Sequence, residues 1–190
     1  MKYILKSIIV LISITMIGCA QNQEREREQE NEEQKISGPQ KAVALVHPTE
    51  GNEVSGHVIF EKVANGVQVT AELTGLDEGK HGFHIHEYGD CTASDGTSAG
   101  GHYNPTDDPH AGPDAEERHM GDMGNIEADE NGEATLDYID DTIKLGGPNH
   151  ILGRGIVLHG GTDDLESQPS GAAGPRVGCG VIGIANPDTN

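Results

Sequence analysis

Basic side chains are scarce: 12 lysines and arginines stand against 32 aspartates and glutamates, for a formal net charge of −20. Binding to a nucleic acid needs clustered Lys and Arg at the phosphates, so that function class is set aside. An acidic surface keeps a protein soluble but repels anions, so an anionic substrate would need a local positive spot. Long apolar runs are missing as well. Residues 8–17 are mostly apolar but short for a bilayer span and interrupted by Ser13 and Thr15. None of the three cysteines has a CxxC partner, which argues against a thiolate metal cluster. The folded part shows no convincing amphipathic helix, which turns attention to strands.

The N-terminus reads as a leader. Lys2 and Lys6 form its positive region, residues 8–17 its apolar region, and residues 1–18 together resemble a secretory signal. Met16-Ile17-Gly18-Cys19-Ala20 resembles a bacterial lipobox, in which Cys19 is lipidated and becomes the mature N-terminus. The alternative is an ordinary signal peptide with an incidental Cys. Acyl chains on Cys19 would tether the chain to a membrane, since each buried methylene contributes about 0.8 kcal/mol. Residues 21–40 are almost all Gln, Glu, Arg, Asn and Lys and have nothing to bury. With Cys19 they make a polar tether over residues 19–40. The folded domain is then residues 41–190, about 150 residues and one core. Cys91 and Cys179 remain as an even pair in an exported domain. One disulfide is the default and two free thiols the alternative. A bond would close a loop of roughly ninety residues and stabilise by about 4 kcal/mol.

With no tryptophan and 27 glycines, strand signals dominate. Eight strands are expected, over residues 42–46, 54–63, 67–73, 80–87, 124–128, 133–138, 151–159 and 177–184. Asn65-Gly66 and Asn131-Gly132 are hairpin signals. The fold class is all-β, an eight-stranded Greek-key flattened barrel or sandwich. Two stretches, residues 89–121 and 160–175, are too long for simple turns and read as functional loops.

Seven side chains then stand out: His84, His86, His102, His110, His119, Asp122 and His159. His84 and His86 lie two apart on a strand, so both imidazoles leave the same face. His102, His110 and His119 fall in the first long loop, Asp122 follows it directly, and His159 ends the apolar run Ile156-Val157-Leu158. Imidazoles with one carboxylate suit copper and zinc rather than calcium or magnesium. His47, His57 and His150 read as packed or solvated, and His81 as a structural neighbour of the His84 strand. Arg118 and Arg154 read as structural ion-pair partners.

At these residues the chain resembles the Cu/Zn superoxide dismutases. Gly82-Phe83-His84-Ile85-His86-Glu87-Tyr88-Gly89-Asp90 is similar to their copper-ligand strand, and Ser98-Ala99-Gly100-Gly101-His102-Tyr103-Asn104-Pro105 to their bridging-His segment. Gly112-Pro113 and Glu116-Glu117-Arg118-His119-Met120-Gly121-Asp122-Met123-Gly124-Asn125 resemble their zinc loop. Gly153-Arg154-Gly155-Ile156-Val157-Leu158-His159 and Arg176-Val177-Gly178-Cys179-Gly180-Val181-Ile182-Gly183-Ile184-Ala185 resemble the last copper-ligand strand and the C-terminal signature. The resemblance implies copper on His84, His86, His102 and His159, and zinc on His102, His110, His119 and Asp122, with His102 bridging. It implies that Asp163 links a copper His to a zinc His, that Arg176 receives superoxide anion, and that Cys91 and Cys179 form the intrasubunit disulfide. Cys91 lies a few residues nearer the copper strand than in the animal enzymes.

The expected activity is dismutation of superoxide to dioxygen and hydrogen peroxide, with His102 also carrying a proton. The loop from Leu165 to Arg176 is several residues shorter than in the animal enzymes and contains no Lys, so steering would rest on Arg176, with Lys80 and Lys144 as further candidates. The runner-up function is an extracytoplasmic copper- and zinc-binding lipoprotein without catalysis. Partners beyond superoxide would be a membrane, through the lipid on Cys19, and a second copy in a homodimer.

Overall fold

A computed structural model describes residues 25, 27–29 and 37–188. The leader, Cys19 and most of the polar stretch lie outside these residues. Arg25, Arg27, Glu28 and Gln29 are helical and exposed. No helix among the described residues is long and apolar enough to cross a membrane.

The second compact unit begins at Pro39. It contains β1 (Lys41–Pro48), β2 (Ser55–Val63), β3 (Gly66–Thr74), β4 (Gly79–His86), β5 (Asp122–Ala128), β6 (Ala134–Asp140), β7 (Gly155–His159) and β8 (Arg176–Ile184), with one 3-10 turn at Thr97–Ala99. They close into an antiparallel barrel in the order β1-β2-β3-β6-β5-β4-β7-β8. β8 pairs back onto β1, with Ala42 opposite Ile184 and Ala44 opposite Ile182, which closes the barrel, and the β5–β6 seam is held by one pair, Ala128 opposite Ala134. The β3–β6 and β4–β7 pairings are non-sequential, as in a Greek key.

Period two governs the core. In β1 the inward residues Ala42, Ala44 and Val46 are buried, as are Val67, Val69, Ala71 and Leu73 in β3. Phe60 and Phe83 fill the interior without measurable exposure, and Leu145 and Ile151 are sealed equally well. The pattern fails where the site lies. β7 and the end of β4 are buried on both faces, because the two long loops cover their outer side. Phe83 and Ile85 enter the core, while His84 and His86 leave the opposite face and are still buried.

One expected strand is shorter than the sequence suggests. Residues 151–154 form a turn, not the start of β7. Ile151 donates its N–H to Lys144 O, Arg154 to Ile151 O, and Gly153 has a φ of 78°, outside strand geometry. Ile151 still enters the core, so its apolar character reports burial and not strand.

Cys91 and Cys179 are joined, 88 residues apart, and pack with Ala99 and Val157 on the outer side of β7 and β8. The bond ties the first long loop to β8.

Phe60 lies on β2 and is not among the strand neighbours of the histidines. Phe60→Ala should therefore lower unfolding stability by about 3–5 kcal/mol, read by urea denaturation, with bound-metal stoichiometry unchanged.

Candidate metal centre

Two irregularities in the barrel open the site. The β4–β5 register shifts between Gly82 and His84, and the β7–β8 register shifts between Leu158 and His159. Such bulges re-aim side chains at a sheet rim. Where β5 leaves β4, loop backbone takes over: Ile85 donates to Gly121 O and accepts from Tyr103 N, and Gly121 N donates to Tyr103 O. This places His102 in a lone bridge beside His86. Gly121 is required there, since a Cβ would stand 2.1 Å from the Ile85 carbonyl oxygen.

The seven residues gather into two groups that share one member. His84, His86, His102 and His159 form one; His102, His110, His119 and Asp122 form the other. In each group the potential ligand atoms lie within 4.8 Å of one another. All seven are buried or nearly so.

Each ring has one nitrogen held and one left over. His86 Nδ1 is 3.0 Å from Gly100 O, and His159 Nδ1 is 3.1 Å from Gly174 O. A carbonyl can only accept, so both rings carry their proton on Nδ1 and present the lone pair of Nε2. Those two Nε2 atoms are 3.4 Å apart. His84 gives Nε2 to Asp163 Oδ2 at 2.7 Å, which leaves Nδ1. In the second group, Nδ1 of His102, His110 and His119 stand 2.7, 3.0 and 3.2 Å from Asp122 Oδ1. His84 Nδ1, His102 Nε2 and His110 Nδ1 are buried without a hydrogen-bond partner. Orphaned lone pairs in a sealed site are costly unless a cation meets them, so the donors fit metal ions. The donors of a tetrahedral zinc with bonds of about 2.0 Å stand about 3.3 Å apart, close to the second group's spacing.

Asp163 joins the groups. Its Oδ2 accepts from His84, and its Oδ1 takes His110 Nε2 at 3.0 Å and the Leu165 N–H at 2.7 Å. Asn125 holds its backbone, accepting from Asp163 N at 2.8 Å and donating to Asp163 O at 2.9 Å. Gly171 lies against this carboxylate so closely that a Cβ would stand 1.7 Å from Asp163 Oδ1. Burial alone would raise the Asp163 pKa, but the bonds from His84, Leu165 and His110 prevail and bring it to about 2. Asp122 is likewise lowered against the pull of burial, by His102 and the Ala111 N–H. Burial pushes His84 down to about 4 despite the Asp163 hydrogen bond, and His159 down to about 3 with further repulsion from His84. Burial also takes His86 well below its ordinary value, and His102 and Arg176 add to that shift.

Arg176 opens β8. Its Nη1 and Nη2 donate to Gly96 O and Gly100 O, each at 2.6 Å. The Gly100 carbonyl thus serves Arg176 and His86 together. Arg176, His86, His102 and His159 line an open cleft of about 510 Å³ with Pro169 and Ser170. No lysine and no carboxylate lines it, and neither Lys80 nor Lys144 reaches it.

Arg118 makes the expected ion pair, with Asp140 at 2.8 Å, and also donates to the carbonyls of His119 and Asp122. Among the described residues Arg154 pairs with no acid: it donates to Glu87 O and stacks 4.1 Å over the Tyr103 ring. His81 is buried and bridges His159 O and Asp77 O at 2.9 and 2.8 Å. The supporting roles of Asn125, Gly171 and the Gly96, Gly100 and Gly174 carbonyls carry no residue-type signal, because backbone groups and amides look alike along any loop.

Comparison with known proteins agrees with this geometry. The family model for copper/zinc superoxide dismutase (SODC) matches residues 54–182. The chain belongs to the copper/zinc superoxide dismutase family. Among its relatives, the superoxide dismutase [Cu-Zn] of Paramecium bursaria Chlorella virus 1 is 46% identical over 158 residues, 79% of this chain and 81% of the relative. The extracellular superoxide dismutase [Cu-Zn] of Drosophila melanogaster is 46% identical over 157 residues, covering 77% and 86%. That of Brugia pahangi is 42% identical over 159 residues, covering 79% of each. The crystal structure of the clock protein EA4 is similar with a TM-score of 0.71 and 42% identity, over 77% of this chain and 96% of that one.

The depressed histidines make a pH prediction for the metal-free chain. His84 and His159 have folded pKa values of about 4 and about 3, below the ordinary 6.5, so the unfolded chain takes up protons first as pH falls. Stability is whole above pH 6.5 and is lost progressively below it, by about 1–2 kcal/mol per histidine at pH 5. Urea midpoints of metal-free protein should be clearly lower at pH 5 than at pH 7.

Proposed function

We infer that the chain is a Cu/Zn superoxide dismutase in activity as well as family. The observation that carries this is a cationic Arg176 on the wall of the cleft into which the first histidine group opens. A metal carrier needs no anion-binding guanidinium beside its ligands, so the cleft favours the enzyme over a copper- and zinc-binding lipoprotein without catalysis.

In this reading His84, His86, His102 and His159 would hold copper, and His102, His110, His119 and Asp122 would hold zinc. Copper supplies the reversible one-electron couple that turns two superoxide anions and two protons into dioxygen and hydrogen peroxide, while zinc has no redox chemistry. The residues supply the rest. Arg176 binds the anion; the two carbonyls fix its plane and leave its other N–H groups to the cleft. His102 Nε2, when released from copper, could take a proton and give it up again, while Nδ1 stays with the Asp122 group. Asp163 orients one ligand of each metal. Attraction of the anion is local and works against an acidic far field, in a family that is itself a standard case of electrostatic steering.

Two relatives are named extracellular, and the Cys91–Cys179 bond suits an oxidising compartment. These support an extracytoplasmic location. Lipidation at Cys19, with residues 19–40 as spacer, would hold the domain at the membrane surface. Leu45, Val181 and Ile184 are exposed on the β1–β8 side, and this face supports pairing with a second copy.

Copper- and zinc-loaded protein should dismutate superoxide, and His86→Ala should abolish the activity. Arg176→Ala should keep its copper, lose at least about tenfold in kcat/KM, and speed up with added salt, because only the repulsive field is then left to screen. Full loading without activity would sink the enzyme reading. Cys19→Ser should shift the protein from the membrane fraction to the soluble extracytoplasmic fraction; membrane retention would refute the lipid anchor.

A further inference from the structure

We propose that Gln168 is a positioning residue for His110, and that through it zinc occupancy orders the wall of the copper cleft. The inference rests on the reading of His110 as a zinc ligand. His110 belongs to no strand or helix. Its backbone is instead paired by one side chain, as a neighbouring strand would pair it. Gln168 Oε1 accepts from His110 N at 2.8 Å, and Gln168 Nε2 donates to His110 O at 2.8 Å. The amide orientation is forced, since a backbone N–H only donates and a carbonyl only accepts.

Every other polar handle on His110 also leads to the same loop or to the zinc group. Its Nε2 meets Asp163 Oδ1 at 3.0 Å, and its Nδ1 faces Asp122 Oδ1 at 3.0 Å. Residues 163–171 therefore grip one histidine at the ring and at both backbone groups. The gripping loop is stiff in its own right. Asp164 accepts from the N–H groups of Glu166 and Ser167, and Gly171 both donates to Ser167 O and accepts from Asp164 N. Directly after Gln168 come Pro169 and Ser170, which line the cleft with His102 and Arg176. A shift of His110 would thus be passed to the cleft wall through a two-residue link. Asn, one methylene shorter, would lose reach. Glu could accept from His110 N but would set a carboxylate against His110 O.

The test uses the full chain and zinc ion alone, titrated against a chromophoric chelator, with hydrogen exchange at residues 170–174 measured with and without zinc. Gln168→Met keeps the side-chain bulk and removes both hydrogen bonds. Gln168→Met and Gln168→Glu should each weaken zinc binding by about tenfold and abolish zinc-dependent protection of residues 170–174. Zinc-free melting temperatures should match the parent. Affinity within twofold of the parent, with protection kept, would overturn the proposal, as would a loss matched by equal zinc-free destabilisation. His110→Ala separates the two failures. If it leaves zinc affinity unchanged, the zinc reading itself falls; if it weakens zinc while Gln168→Met does not, the clamp alone falls.

Discussion

A buried carboxylate held between two imidazoles organises this molecule. Asp163 gives one oxygen to His84 on β4 and the other to His110 in the first long loop. Left alone, a carboxylate in that position would be neutralised by burial. Three hydrogen bonds keep it ionised, and Asn125 pins its backbone from β5. In return it fixes which nitrogen of each ring faces the centre. Without it, neither ring has a set orientation, and the two groups of donors lose their common frame.

The barrel serves that arrangement by presenting one strand face outward under a cover. β4 sends Phe83 and Ile85 inward and His84 and His86 outward, and two long loops bury the outward pair. Burial then does chemical work. It keeps the imidazoles neutral, with lone pairs available, at pH values where free histidine would be protonated. The Cys91–Cys179 bond and the Arg176–Gly100–His86 link join the first long loop to β8, so Arg176 and His86 share one backbone carbonyl as a common anchor.

Side-chain amides fasten the two long loops to themselves, to each other and to the barrel. Asn125 spans the backbone of Asp163, Gln168 that of His110, and Asn104 joins Asp108 through both its oxygen and its nitrogen. Each amide acts as a strand partner where no strand exists. Such clamps let irregular backbone hold ligands with strand-like definition.

By itself the sequence determined the strands, the two long loops and the seven donor residues. Alternating burial, Asn-Gly turns and donor-atom chemistry are local properties that a linear text displays. It misjudged residues 151–154, because an apolar residue that plugs a barrel end reads like one in a strand. Only the tertiary structure decided which nitrogen each ring presents, which carbonyls hold Arg176, and that Gln168 reaches His110. Those depend on contacts between segments up to 80 residues apart, as from Arg176 to Gly96, and on backbone oxygens that every residue carries. No residue type marks them, so they exist only once the chain has closed on itself.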